Sequence, residues 1–226
     1  MAFSGFPDDG AKFFRALARN QNREWFQAHK REFEEGWQGP MKELLDEVHA
    51  GVDRAFKRCD LAPPKLFRIF RDVRFSKDKS PYKTHIGGVI PVQGHGKMTE
   101  VPIALYFHVG QPQSFGAAGH YMMDSHALTG FRKAVADETR GAQLDKLLRA
   151  LVKKGYSVDS HDSYKRVPKG YDPEHPRAEH LKRKGLTVGF PALPKGLLTS
   201  TKLGPWLVSH AKAAAPLVEW LVLATF

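Results

Sequence analysis

Apolar residues recur at helical intervals through the first third of the chain. Asp8 or Asp9 stands just ahead of Phe13, Phe14 and Leu17, a carboxylate placed to cap a helix before its apolar stripe. Asn20-Gln21-Asn22 interrupts, and Trp25, Phe26, His29 and Phe33 then line one side of a second helix expected from about Arg23 to Glu35. Gly39-Pro40 opens a third, in which Leu44, Leu45, Val48, Val52 and Phe56 keep the period. Ala62-Pro63-Pro64 ends this region, because proline has no amide proton and clashes with the preceding turn.

In the middle the period changes from helical to alternating. Val101, Ile103, Leu105, Phe107 and Val109 fall on one face of an extended segment, and Ala104, Tyr106 and His108 on the other, which predicts a strand with one face in the core. Phe67 to Arg71 is short and β-favouring, Ser76 to Pro81 reads as a charged turn, and Tyr82 to Val92 as extended. Gly94-His95-Gly96 reads as a turn, and Ser114 to Met122 can pair with the central strand after the Gly110 to Gln113 loop. Helical spacing returns after Asp124 or Ser125, through about Glu138, and again from Gln143 to Lys154, with Gly155 placed to stop it. Tyr164 to Gly189 is basic and rich in turn residues. A last helix is expected from about Pro205, bent at Pro216. Its most apolar run, Leu217 to Phe226, falls short of the roughly 20 residues that span a bilayer, so it is expected as a buried or partner-facing helix through which a homo-oligomer could form, with no membrane partner. With no repeat, low-complexity tract or linker, the pattern predicts one α+β domain over residues 1–226, a mainly antiparallel central sheet packed by N-terminal, middle and C-terminal helices.

Composition adds little to this until charge is considered. The single cysteine, Cys59, excludes an internal disulfide framework and fits a reducing compartment, and the first residues do not read as a secretory signal, so a cytoplasmic location is expected. The chain carries 35 Lys and Arg against 24 Asp and Glu, a formal charge of +11. Lys65 to Lys97 holds eight basic and two acidic residues, and Tyr164 to Lys184 seven basic and three acidic, so almost the whole excess lies in two segments. If they meet in space they form one positive cleft that attracts anions; if not, they are two solvated faces.

The densest polar block runs from Phe67 to His85, where Arg68, Arg71, Arg74, Lys79 and Lys83 alternate with aromatic and β-branched residues. Guanidinium groups so placed suit bidentate contacts to phosphate or carboxylate, and Tyr106, Arg166 and Lys169 are further candidates for the ligand. Asp72 is placed to orient Arg71 or Arg74, and the same block also reads as a surface hairpin with ordinary salt bridges. Of the eleven histidines, His85 and His108 are the better proton-transfer candidates, with Tyr82 a third. No HExxH, GxGxxG, Walker or GxSxG pattern occurs, so neither a metal nor a cofactor is expected. Cys59 sits in Lys57-Arg58-Cys59-Asp60 at a helix end with no partner nearby in sequence, so it is not expected as a nucleophile, although neighbouring cations could lower its pKa.

Arg68 to Lys83 resembles the signature stretch of the family called domain of unknown function 2461. Asn22 with Trp25-Phe26, Lys165 to Tyr171, Tyr106-Phe107-His108 and Gly119-His120-Tyr121 are similar to its other blocks. The resemblance implies an α+β domain and supplies no reaction. Two readings compete, and a third, a structural subunit whose C-terminal helix docks on a partner, is compatible with either. One is a module binding a phosphate-bearing ligand, nucleic acid or nucleotide, with Trp25, Phe26, Tyr82 or Tyr106 stacking on bases. The other is an enzyme holding a small anionic substrate on Arg68, Arg71, Arg74 and Lys83 while His85, His108 or Tyr82 moves a proton.

Overall fold

The computed structural model describes residues 2–93 and 103–225. The chain opens with helix α1 (Lys12–Arg19). Ala11 at its start bonds through no side chain, and Asp8 fills the role instead, accepting from the Gly10 and Lys12 amides at 2.9 and 3.2 Å. Asn22 caps α2 (Arg23–Ala28) by accepting from the Trp25 amide. The stop expected ahead of Gly39-Pro40 is absent. Helix α3 (Lys30–Phe33) runs through a π turn, Glu34–Gln38, into α4 (Gly39–Val52). The Gly39 amide reaches back five residues to the Glu34 carbonyl, and this wider turn carries the helix past Pro40, which has no amide to contribute. Trp37 in the π turn is 1% exposed and packs on Phe6 and Phe14, so burial of its ring holds the irregular turn in place.

Six strands follow as one antiparallel sheet in the spatial order β1-β2-β3-β4-β6-β5. They are β1 (Lys65–Leu66), β2 (His85–Pro91), β3 (Ile103–Gly110), β4 (Phe115–His120), β5 (Ser157–Asp159) and β6 (Leu186–Gly189). The central β3 is the segment the alternation predicts; the expected turn at Gly94-His95-Gly96 and the start at Val101 lie outside the described residues. Asp124 caps α5 (Ser125–Ala136) and Asp137 caps α6 (Glu138–Val152), the second starting earlier than Leu144 suggests because its first turn is polar. A short α7 (Ala178–Leu181) precedes β6.

The chain ends in α8 (Leu203–Thr225), which runs through Pro216. This helix is long and apolar enough to span a bilayer, but more than half of its most apolar stretch is buried inside the protein, against α4, α5, α6 and the sheet. Helices α4 and α8 cover one face of the sheet, where Leu45, Val48, Leu207 and Ala211 meet Ile90, Leu105 and Phe107. The fold is a single antiparallel sheet with helices packed on it, as the α+β pattern predicts.

Candidate functional site on the open face of the sheet

Alternation sends the odd positions of β3 into the helix-covered core and leaves Ala104, Tyr106 and His108 on the other side. Register extends that second face across the sheet. His108 stands opposite Gly87 and Phe115, Tyr106 opposite Val89 and Ala117, and Thr187 opposite both Gly119 and Asp159. This face opens into a concave cleft of about 1380 Å³. Its floor is made of small residues, Ala104, Ala117, Gly119 and Gly189, and one end is walled by Phe67, Lys83 and His85. Arg15, the Gln111–Phe115 loop and Lys195 border it, and Ser157, Asp159 and Thr187 lie toward the far edge.

A stack of rings forms one end of the cleft. The His85 and His108 rings lie 4.0 Å apart at 23°, and Phe115 stacks on the other side of His108 at 4.9 Å. The Tyr106 hydroxyl lies 2.8 Å from His108 Nδ1, and Gly87 leaves room for it, since a Cβ there would come within 2.9 Å of that oxygen. Burial, and secondarily the positive charge His85 would carry, push the His108 pKa down to about 3, so the ring is neutral. Burial pushes the Tyr106 phenol up to about 12, so it keeps its proton and donates it to Nδ1. On that assignment the His108 proton sits on Nε2, which is buried and has no hydrogen-bond partner among the described residues. His108 is therefore held in the middle of the stack, and the half-buried His85 is the imidazole that the cleft presents. Burial first, and Lys83 second, lower the His85 pKa and keep it a neutral acceptor.

Lys83 is held over the Phe67 ring at 5.4 Å. Burial and the nearby Arg68 lower its pKa, and among the described residues no carboxylate lies within ion-pair distance of its ammonium.

The remaining candidates lie elsewhere. Tyr82 is 3% exposed and stacks on Phe26 at 4.4 Å, so it belongs to the core and not to the cleft. Arg71 is tied to Asp78 and touches Ser76 Oγ at 3.4 Å, while Arg74 grips Asp72 through Nε and Nη2 at 3.0 and 2.7 Å. The Arg74 guanidinium accordingly holds the Asp72 carboxyl down at about 2. Lys79 donates to the Val73 carbonyl at 2.9 Å. These five bonds brace the loop after Phe70, whose backbone pairs back through Phe70 and Tyr82. None of Arg68, Arg71, Arg74 and Lys79 lines the cleft.

Arg166 and Lys169 are exposed on the segment between β5 and β6, at the edge of the sheet opposite β1 and β2. The two basic segments thus attach to opposite edges, with β3 and β4 between, and Tyr164 to Lys184 contributes nothing to the cleft lining; the expected common cleft does not form. Cys59 is not activated by the cations beside it, in line with the expectation that it is no nucleophile. Burial, then the carboxylates Glu219 and Asp60, raise its thiol to about 11, outweighing the cations beside it in sequence.

Sequence reasoning passed over Phe67, Phe115, Arg15, Ser157, Asp159 and Thr187. Continuing the Tyr106 alternation across the loop into β4 would have found Phe115 and Ala117; the three-residue β5 carries no such signal.

The model of a conserved hypothetical protein family (DUF2461) matches residues 9–220. No curated protein and no solved structure matches the chain.

Proposed function

The chain belongs to the DUF2461 family of conserved hypothetical proteins, and from that premise, with the chemistry left to the site itself, we propose that the open sheet face binds a small phosphate-bearing ligand of the nucleotide class. The observation that carries the reading is Lys83, a half-buried ammonium beside Arg68 with no carboxylate in ion-pair reach among the described residues. A cation in that setting is favoured by an arriving oxyanion, which supplies the missing counter-charge. The floor of Ala104, Ala117, Gly119 and Gly189 admits a flat ring, and Phe67, Tyr106 and Phe115 offer aromatic faces around it. The rest of the lining argues for one anionic group and against a polyanion lying along the cleft, since Arg15 and Lys195 are offset by Asp9 and Asp159.

Equilibrium titration with nucleoside mono-, di- and triphosphates tests this. Lys83→Ala should weaken binding by about 10- to 100-fold, the worth of one charge-assisted hydrogen bond. Arg74→Ala, which removes a cation already committed to Asp72, should leave nucleotide affinity within about twofold, the scatter of surface substitutions. Equal losses in the two variants, or no binding of any nucleotide, would refute the assignment.

His85 favours a second reading, in which the same cleft carries out proton transfer on its ligand. Its imidazole is neutral, half-exposed and beside the proposed anion site. Product formation from a bound nucleotide, followed by phosphorus NMR and abolished in His85→Gln with affinity retained, is the expected result; a ligand unchanged by the wild-type protein would exclude catalysis on it.

A further inference from the structure

The strongest anomaly outside the cleft is Phe75. Its side chain is 95% exposed, more than that of any other large apolar residue described. It sits at the tip of the loop that leaves the cleft wall at Phe67 and returns to it at Lys83. Such exposure costs solubility and gains the protein nothing in its own core. Nor is the tip loosely tethered. Arg71 is tied to Asp78, Arg74 grips Asp72 bidentately, Lys79 bonds the Val73 carbonyl, and Ser80 donates to Asp78 through both its amide and its hydroxyl. The Arg74 guanidinium lies 5.8 Å from the Phe75 ring centroid. From Phe67 to Lys83 the loop holds six basic and two acidic residues. The arginines that resemble an anion clamp in sequence therefore act as the frame, and what they present outward is an aromatic ring flanked by the exposed Lys77.

We infer that this loop is a second binding surface, for single-stranded nucleic acid, continuous with the cleft; the inference extends the nucleotide reading of the cleft and rests on it. A terminal nucleotide in the cleft has its phosphate at Lys83, and the next nucleotides leave along the loop that Lys83 closes. One unpaired base stacks on Phe75, and Arg68 and Lys77 meet the backbone. A strand is favoured over an anionic lipid surface for a geometric reason. Asp72 and Asp78 are exposed on the same loop, and a membrane plane would press on them along with the ring. A single strand can touch the ring and cations while passing the carboxylates by.

The test compares one nucleoside monophosphate with a single-stranded oligonucleotide of roughly ten residues, a length within the range such surfaces cover, at two salt concentrations. The oligonucleotide is expected to bind at least about 10-fold tighter and to lose more affinity as salt rises. Phe75→Ala should lower oligonucleotide affinity about 10-fold, the low-to-middle range for one stacked base, and leave the monophosphate affinity unchanged. Lys77→Ala should reduce the salt dependence of the oligonucleotide alone. An oligonucleotide bound no tighter than the monophosphate, or a Phe75→Ala protein that binds it as the wild type does, overturns the inference while leaving the cleft reading intact. Loss of monophosphate binding in Lys83→Ala is the separate check on the cleft. Phe75-dependent sedimentation with phosphatidylserine vesicles, without an effect on oligonucleotide binding, would assign the loop to a membrane and overturn the proposal.

Discussion

Urea titrations at falling pH are expected to show stability lost well before the carboxylates protonate. His108 and His120 are both nearly fully buried, and their pKa values fall from 6.5 to about 3 and about 4, in each case chiefly through burial. Burial also lowers His85, His180 and His210. Between the ordinary pKa and the lowered one, the unfolded chain binds protons that the folded chain refuses. Stability therefore rises with pH across that window, is fully present above pH 6.5, and drains away as pH drops below it. Each imidazole contributes about 1.4 kcal/mol per pH unit, so His108 and His120 together remove roughly 4 kcal/mol by about pH 5. That is a large share of the roughly 5–15 kcal/mol by which a domain is stable. His120→Gln should make the profile shallower by about one proton. A flat profile between pH 7.5 and pH 5 would contradict the burial of these rings in neutral form.

The floor of the cleft should divide sharply between two neighbouring positions. Gly119 has φ +136, and a Cβ built there would lie 2.3 Å from the Leu186 carbonyl oxygen and 2.8 Å from Thr187 Cα, both backbone atoms that no side-chain movement can clear. Gly119→Val combines a backbone conformation that side chains rarely adopt with a clash between paired strands, and should cost at least about 3 kcal/mol. Ala117, two residues earlier on the same face, points into the cleft. Ala117→Leu should change stability by less than about 1 kcal/mol, because the added atoms enter open space, yet weaken nucleotide binding 10-fold or more by filling the site. Urea denaturation and ligand titration on the two variants give both numbers. A Gly119→Val protein as stable as the wild type would mean that β4 and β6 do not approach this closely.

Much of this architecture is legible in the sequence where periodicity is long. Eight residues of alternation mark β3, and Asp124 marks the start of α5. Periodicity fails where elements are short. Ser157–Asp159 and Leu186–Gly189 are too brief to alternate visibly; the second becomes a strand because β4 offers it an edge, and the first because β6 then offers another. Pro40 misleads for a different reason, since a π turn and the burial of Trp37 carry the helix through a residue that would ordinarily end it.

The site divides the same way. Tyr106, His108, His85 and Lys83 come together because strand register places them there, and each is conspicuous in sequence. Arg71 and Arg74 are equally conspicuous, but carboxylates at Asp78 and Asp72 claim them locally. Arg166 and Lys169 are separated from Lys83 and His85 by strand order, a property of the whole sheet that no local stretch encodes.

Heteronuclear NMR of the protein titrated with a nucleoside monophosphate locates the bound ligand directly. The His85 ring resonances and the amides of Gly87, Tyr106, Ala117 and Gly119 are expected to shift together and saturate with one affinity, while the amides of Phe75 and Lys77 at the loop tip and of Arg166 and Lys169 on the far edge stay in place; that is the result expected for a ligand on the open sheet face. Shifts confined to residues 164–184 or to the loop tip, with the sheet face unmoved, would contradict it.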